Sequence, residues 1–225
     1  MRSEDAKING NKLNSFNAQL VEYKVDPCSY KNGYYVPANS IVPVRLKGTV
    51  GLRKITMVLD IYGDRESAIA LSISNLTVVL MKDARIVLPD GYNYYCVLEK
   101  ASTPEEKAPW IKRIKFEFYG YRHGELETIQ ITDGMMVEIK GNFEAPVKYT
   151  IVPGTDTTVS VNGITVTGVT MPLVIDGFTA KVTMDDRNKF GDTNIVEFPK
   201  MSVGLNKMYV TGDATVTMEY YPMYL

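Results

Sequence analysis

Between Thr158 and Thr167 the chain reads Thr-Val-Ser-Val, then Asn-Gly, then Ile-Thr-Val-Thr. Both arms alternate a β-branched apolar residue with a hydroxyl. Successive side chains on a strand point to opposite faces, so each arm has one face for a core and one for water. Asn162-Gly163 suits a type I′ turn, whose twist matches that of the paired strands it joins. The segment predicts a β-hairpin, and the same pattern continues around it. Asp176-Gly177 repeats the device between Leu173-Val-Ile175 and Phe178 to Met184. Met135 to Lys140, Val147 to Val152 and Ala214 to Tyr220 read as further strands. Short strands at this spacing, with no helix between them, predict a sandwich or barrel.

The first half is also strand-rich. Asn17 to Val25 reads as a strand stopped by Asp26-Pro27, and Lys54 to Tyr62 is a strongly β-prone run. Between them, Tyr30 to Pro43 carries Asn32-Gly33 and prolines, and reads as a loop or projecting hairpin. From Asp64 to Leu80 the period changes. Ile69, Ile73, Leu76 and Leu80 fall at helical spacing, with Asp64 placed to cap the start and Glu66 at the positive end of the dipole. This is the one helix the sequence predicts. Arg85 to Leu88 and Tyr92 to Leu98 flank Pro89-Asp90-Gly91, a hairpin in which glycine supplies positive φ. Ser102 to Pro109 reads as a charged loop, Ile114 to Phe118 as a strand with clean alternation, and Gly120 to Glu127 as a turn. Ile129 and Ile131 mark a short strand. The division is expected near Gly134 to Asn142, giving domains 1–138 and 139–225.

Composition narrows the function. Apolar residues make up 45% of the 225, enough to fill a core. Lysine plus arginine (25) nearly cancels aspartate plus glutamate (26). That balance opposes gripping a nucleic-acid backbone or docking on an anionic membrane through charge. The N-terminal Met1-Arg-Ser-Glu-Asp-Ala6 has no apolar signal region, and no window is long and apolar enough to span a bilayer. Cys28 and Cys96 are expected reduced and buried.

Catalytic sets are hard to assemble. His123 is the single histidine, in a loop-like context, and no Gly-x-Ser-x-Gly elbow presents a nucleophile. Zinc needs several Cys or His ligands, and the three here are dispersed. Asp185-Asp186 and Asp156 read as solvated turn carboxylates instead of a cation loop. Glu117, Glu138, Glu197 and Glu219 read as outward strand positions, not a hydrolytic pair. No phosphate cradle is present, and Lys112-Arg-Ile-Lys115 reads as a solvated strand face. The residues thus predict no enzyme, no cofactor and no metal. Sugar binding is the competing reading. Trp110 lies at a strand start, and Phe143, Tyr149, Phe178, Phe190, Phe198, Tyr209, Tyr220 and Tyr221 read mostly as core.

An ordered set of small motifs runs nearly the full length. It comprises Lys7-Ile-Asn-Gly10, Leu20 to Val25, Gly51 to Leu59, Ile73-Ser-Asn-Leu76, Tyr119-Gly-Tyr121 and Gly141-Asn142. Ile175-Asp-Gly177, Phe198-Pro199, Gly204-x-Asn206 and Tyr221-Pro222 complete it. Taken in order, the set resembles the phage distal tail protein (Dit) family, the hub of siphophage tail tips.

The resemblance implies a mainly β protein: an N-terminal, tail-tube-like β-sandwich with one helix and a projecting hairpin, then a C-terminal galectin-like or binding-module-like β-sandwich. It implies a structural, non-enzymatic virion component without cofactor, assembled in the bacterial cytoplasm. Its partners would be copies of itself in a hexameric ring, the tail tube, and the baseplate or fibre proteins. Genome DNA would pass through the ring without specific binding, and no membrane is engaged. Tyr30, Tyr34, Tyr35 and Pro37, on the projecting segment, are the expected subunit-interface residues. The alternative is a carbohydrate- or host-surface-binding module.

Overall fold

The computed structural model describes residues 6–39, 41–46, 48–155 and 157–225. It is mainly β, with one α-helix among the described residues, and it divides into two compact units. The first ends at Arg122 and takes in Leu225; the second runs His123–Tyr224.

The first unit contains β1 (Lys7–Ile8), β2 (Asn11–Lys12), β3 (Ala18–Val25), β4 (Tyr30–Lys31), β5 (Tyr34–Tyr35), β6 (Val44–Arg45), β7 (Thr49–Val50) and β8 (Arg53–Tyr62). Then come α1 (Glu66–Leu80), β9 (Ala84–Val87), β10 (Asn93–Ala101), β11 (Glu105–Ala108) and β12 (Ile111–His123). The main sheet runs β2-β1-β9-β10-β12-β8-β3, with β11 beside β12. Strict alternation sets its inner face. Ile55, Met57 and Leu59 of β8 lie opposite Phe118, Phe116 and Ile114 of β12, and these six and Ile61 are buried. Ile69, Leu76 and Leu80 of α1 join this core, as the helical spacing predicts. Each such side chain contributes about 1.5–3 kcal/mol by leaving water.

The helix starts later than expected. Arg65, in extended backbone, precedes Glu66, and no side chain caps the helix. Asp64 turns instead to the Arg65 Nε at 3.7 Å. The expected charged loop contains β11, whose Glu105 and Glu106 pair with Arg113 and Lys112 of β12. Charged residues suit such a short strand because they discourage further pairing. The turn expected at Gly120 is strand as well. A Cβ there would lie 2.4 Å from the Tyr95 carbonyl and 2.9 Å from the Cys96 Sγ, so glycine serves close strand approach.

The second unit contains β13 (Glu127–Ile131), β14 (Met136–Ile139), β15 (Ala145–Pro153), β16 (Thr158–Val161), β17 (Ile164–Thr167), β18 (Leu173–Asp176), β19 (Lys181–Met184) and β20 (Arg187–Asn188). It ends with β21 (Lys200–Met201), β22 (Gly204–Lys207), β23 (Val210–Thr211), β24 (Ala214–Tyr220) and β25 (Met223–Tyr224). One sheet runs β13-β24-β15-β18-β19-β20 with β21 on β15; β14 pairs with β22, and β16 lies between β17 and β23. Val147, Tyr149, Ile151, Val159, Val161, Leu173, Ile175, Val216 and Met218 fill the core.

A division at 138/139 would leave β13 with the first domain. Its alternation is clear in sequence but does not reveal its partner: Ile129 lies opposite Met218 and Ile131 opposite Val216 of β24. The hairpin at Asn162-Gly163 forms with both residues at positive φ, 49° and 82°. Asp176-Gly177 works differently. A Cβ on Gly177 would lie 2.4 Å from the Pro199 carbonyl and 2.6 Å from that of Val147, so this glycine answers a space requirement.

Candidate assembly surface

The segment between β3 and β8 is a two-rung arm. Asp26-Pro27 ends β3, because proline has no amide to donate to a ladder. The chain then re-pairs with itself. Tyr30 and Lys31 lie opposite Val50 and Thr49, and Tyr34 and Tyr35 opposite Arg45 and Val44. Between the rungs, the Leu46 amide donates to the Gly33 carbonyl at 2.9 Å and an Arg45 guanidinium nitrogen to Asn32 Oδ1 at 3.2 Å. At the base, the Gly51 amide donates to the Ser29 carbonyl at 2.8 Å. The arm therefore extends to Val50, beyond the expected end at Pro43. A two-residue rung carries too little periodicity to be read from sequence.

The arm is apolar and in water. Ile41 is 98% exposed, Tyr34 72%, Val42 67% and Tyr35 59%; Tyr30, Val36, Val44 and Leu46 are exposed too, while Pro37 is half-buried. From Asn32 to Val44 the sequence has no charged residue. An isolated two-stranded ribbon is marginal in water, and a contiguous exposed apolar patch marks an interaction surface. The interface residues expected from sequence, Tyr30, Tyr34, Tyr35 and Pro37, all sit on this arm. Ile41, Val42, Val44 and Leu46 share its exposure. For the first three the signal is the uncharged run, not the tyrosines.

The outer face of the first sheet is the opposite case, dense in satisfied charge. Lys54 and Lys115 both reach Glu117, and Arg113 clasps Asp60 with two hydrogen bonds of 2.7 and 2.8 Å. Hydrogen bonds from the Lys115 and then the Lys54 ammonium hold the Glu117 carboxyl down at about 2. Lys112 reaches Glu66 at 2.7 Å, so the Lys112–Lys115 segment is a neutralised strand face.

The remaining candidates disperse. His123 is buried at the end of β12, not on a surface loop. Its Nδ1 lies 2.7 Å from the Gly124 carbonyl and its ring meets Tyr221 edge-on at 4.8 Å. Cys28 and Cys96 are free and buried, and burial pushes the Cys96 thiol up to about 12. Asp185 and Asp186 form the turn between β19 and β20; Asp156 lies outside the described residues. No group of three His, Cys, Asp or Glu among the described residues could hold a metal ion. Tyr149 and Tyr220 are core, as expected, whereas Phe190 and Tyr209 are exposed. Trp110 is exposed in the turn before β12.

Solved structures match nearly the whole chain. The SPP1 Dit protein, described as a paradigm of the hub adsorption apparatus in phages infecting Gram-positive bacteria, superposes with a TM-score of 0.71. The match covers 98% of each chain at 16% identity.

The chain has the Dit fold.

A chain of the phage P2 baseplate in its activated conformation with calcium matches at a TM-score of 0.63 and 9% identity, over 94% of this chain and 92% of its own. A chain of the same baseplate state with strontium gives 0.60 and 10%, over 95% and 97%. Neither a protein-family model nor a curated protein matches the sequence. The Dit likeness thus rests on shape: it spans both units and runs across the arm. Identity this low is what a β fold tolerates when inward positions need only be apolar and of suitable volume.

Proposed function

We propose that this chain is a structural subunit of a phage tail tip, a Dit hub protein that closes into a hexameric ring joining the tail tube to baseplate or fibre proteins. The observation that carries this reading is the full-length likeness to the SPP1 Dit hub protein. The first unit forms the ring, and the arm carrying Tyr30, Tyr34, Tyr35 and Pro37 lies against the next copy. A head-to-tail contact between rigid units closes into a ring when its rotation permits, and the arm supplies such a contact. Chemistry is not the role: the lone histidine is packed away, and the carboxylates of the outer sheet face are engaged by lysine and arginine. DNA passes through the ring unrecognised, consistent with the near-neutral balance of charge. Among the described residues no helix is long and apolar enough to cross a membrane. The proposed setting is the virion tail tip, after assembly in the bacterial cytoplasm.

Native mass spectrometry of the purified chain tests this, with a six-fold species expected. Replacing residues 32–45 by a short glycine-serine linker should give a folded monomer. A ring that survives the replacement overturns the arm assignment, and a chain that stays monomeric with its arm intact overturns the ring.

A further inference from the structure

The β19–β20 hairpin and the 3-10 turn after it, Phe190–Asp192, border a groove of about 560 Å³. Small-ligand sites span roughly 300–1,000 Å³. The groove's floor is aromatic. Phe190 and Phe198 stack with centroids 5.9 Å apart and planes 27° from parallel, and Phe190 leaves 43% of its surface in water. That exposed ring is held in place by its backbone. The Phe190 amide donates to Asn188 Oδ1 at 2.9 Å, and its carbonyl accepts from the Thr193 amide and hydroxyl at 3.1 and 2.8 Å. Lys189 ties the same turn down: its amide donates to the Val182 carbonyl at 2.9 Å and its ammonium pairs with Asp192 at 2.7 Å.

The rim is polar and unspent. Lys181, Thr183 and Asp186 line the groove, and their side chains engage no described residue through a hydrogen bond or ion pair. Asn188 commits only its Oδ1, which leaves both amide hydrogens for a ligand. The backbone beneath includes left-handed positions. Seven described non-glycine residues have positive φ; four are asparagines, and the other three are Ala180 (55°), Asp185 (49°) and Asp186 (58°). Ala180 and Asp186 line the groove, and Asp185 is the neighbour of Asp186 in the turn. At Asp185-Asp186 the positive φ values are those of a two-residue hairpin turn, which fixes where the Asp186 side chain leaves the groove wall.

A fixed, exposed ring beside an unpaired carboxylate, ammonium, amide and hydroxyl matches one ligand chemistry well. The C–H face of a pyranose covers the ring, while adjacent hydroxyls donate to Asp186 and accept from Lys181 and Asn188. A wholly apolar partner would strand those polar groups, and a polyanion would meet the Asp186 charge. We propose that this groove binds a neutral hexose unit of a glycan. The proposal goes beyond the assembly role and stands independently of it.

The test titrates the full chain with neutral oligomers of glucose, galactose, mannose and N-acetylglucosamine, following aromatic resonances by NMR. At least one should bind with a Kd on the order of 1 mM, and Phe190→Ala and Asp186→Asn should each weaken it about tenfold. Phe190→Tyr should keep the affinity within about twofold, because the face is retained. Both positions are exposed, so unchanged thermal unfolding of the variants separates loss of binding from loss of fold. No response to any of these sugars up to about 10 mM overturns the proposal. So does binding that Phe190→Ala leaves intact, or a response confined to a polyanion such as poly(glycerol phosphate).

Discussion

Asn162 donates from its side-chain amide to the buried hydroxyl of Tyr149 at 2.8 Å, while its own Oδ1 accepts from the Tyr209 amide at 2.9 Å. The turn residue is therefore also a link between the β16–β17 hairpin and the centre of the second core. Tyr149 is fully buried, and its hydroxyl has the Met201 sulfur at 3.7 Å as its other partner. By local propensity alone, Asn162→Gly should be harmless, since glycine adopts the turn freely. The structure predicts a loss of about 1–3 kcal/mol, the consequence of taking from a buried hydroxyl its one nitrogen donor and from the Tyr209 amide its acceptor. Urea unfolding of the variant and of Tyr149→Phe with Asn162→Gly checks it: the double variant should recover part of the loss.

Two glycines separate conformational freedom from space. Gly163 sits at φ 82° with open space around its missing Cβ, so Gly163→Ala should destabilise by about 1 kcal/mol through backbone strain alone. Gly177 has no left-handed backbone to explain it but has carbonyls at 2.4 and 2.6 Å from a built Cβ. Gly177→Ala should be the worse substitution, by about 1–3 kcal/mol of overpacking, in the same unfolding experiment.

These glycines also mark what could be read before the fold was known. Asn162-Gly163 announces itself because both residues are used for backbone conformation, a local property. Gly177 reads as the same device, because contact with Pro199 and Val147 is not local and leaves no mark in the neighbouring residues. The cores were legible for the first reason: Ile55 to Ile61 and Phe116-Glu-Phe118 alternate visibly. Glu127–Ile131 alternates just as well, yet alternation names no partner strand. His123 reads as a loop residue because glycines flank its strand end; its burial against Tyr221 depends on residues almost a hundred positions away. Of the arm, the tyrosines are legible as a composition, while the two-residue rungs that extend it to Val50 are too short to leave a period.

Alkaline pH should weaken the fold. Burial pushes the Tyr149 hydroxyl and the Cys96 thiol each up to about 12, and burial with Asp83 nearby does the same for Tyr95. The native state thus keeps protons that the unfolded chain releases near pH 9 for the thiol and 10 for the phenols. Stability should be full below pH 9 and fall as pH rises towards 12, by up to about 1.4 kcal/mol per pH unit for each proton withheld. Unfolding free energies from pH 8 to 11.5 test the sign; a flat or rising profile contradicts it.

On the arm, Ile41→Ser and Tyr34→Ser should leave monomer stability within about 0.5 kcal/mol of the parent, since neither side chain supports a core. If the arm is the proposed subunit contact, the same changes should raise the dissociation constant for self-association at least about tenfold, because they remove apolar area from that contact. Analytical ultracentrifugation across a concentration series separates the two effects. A fall in thermal stability at low concentration would instead show the arm packing on its own chain.

Ala180 offers a final measurement. An L-residue in the left-handed region is less stable than glycine there by roughly 1–2 kcal/mol, and glycine gives back about 0.4–1 kcal/mol through the freer unfolded chain. With φ at 55°, Ala180→Gly should therefore raise stability by about 0.5–1 kcal/mol, read as an increase in the urea midpoint at constant slope. A decrease would mean that the alanine methyl, on the wall of the Phe190 groove, makes packing contacts that outweigh its backbone strain.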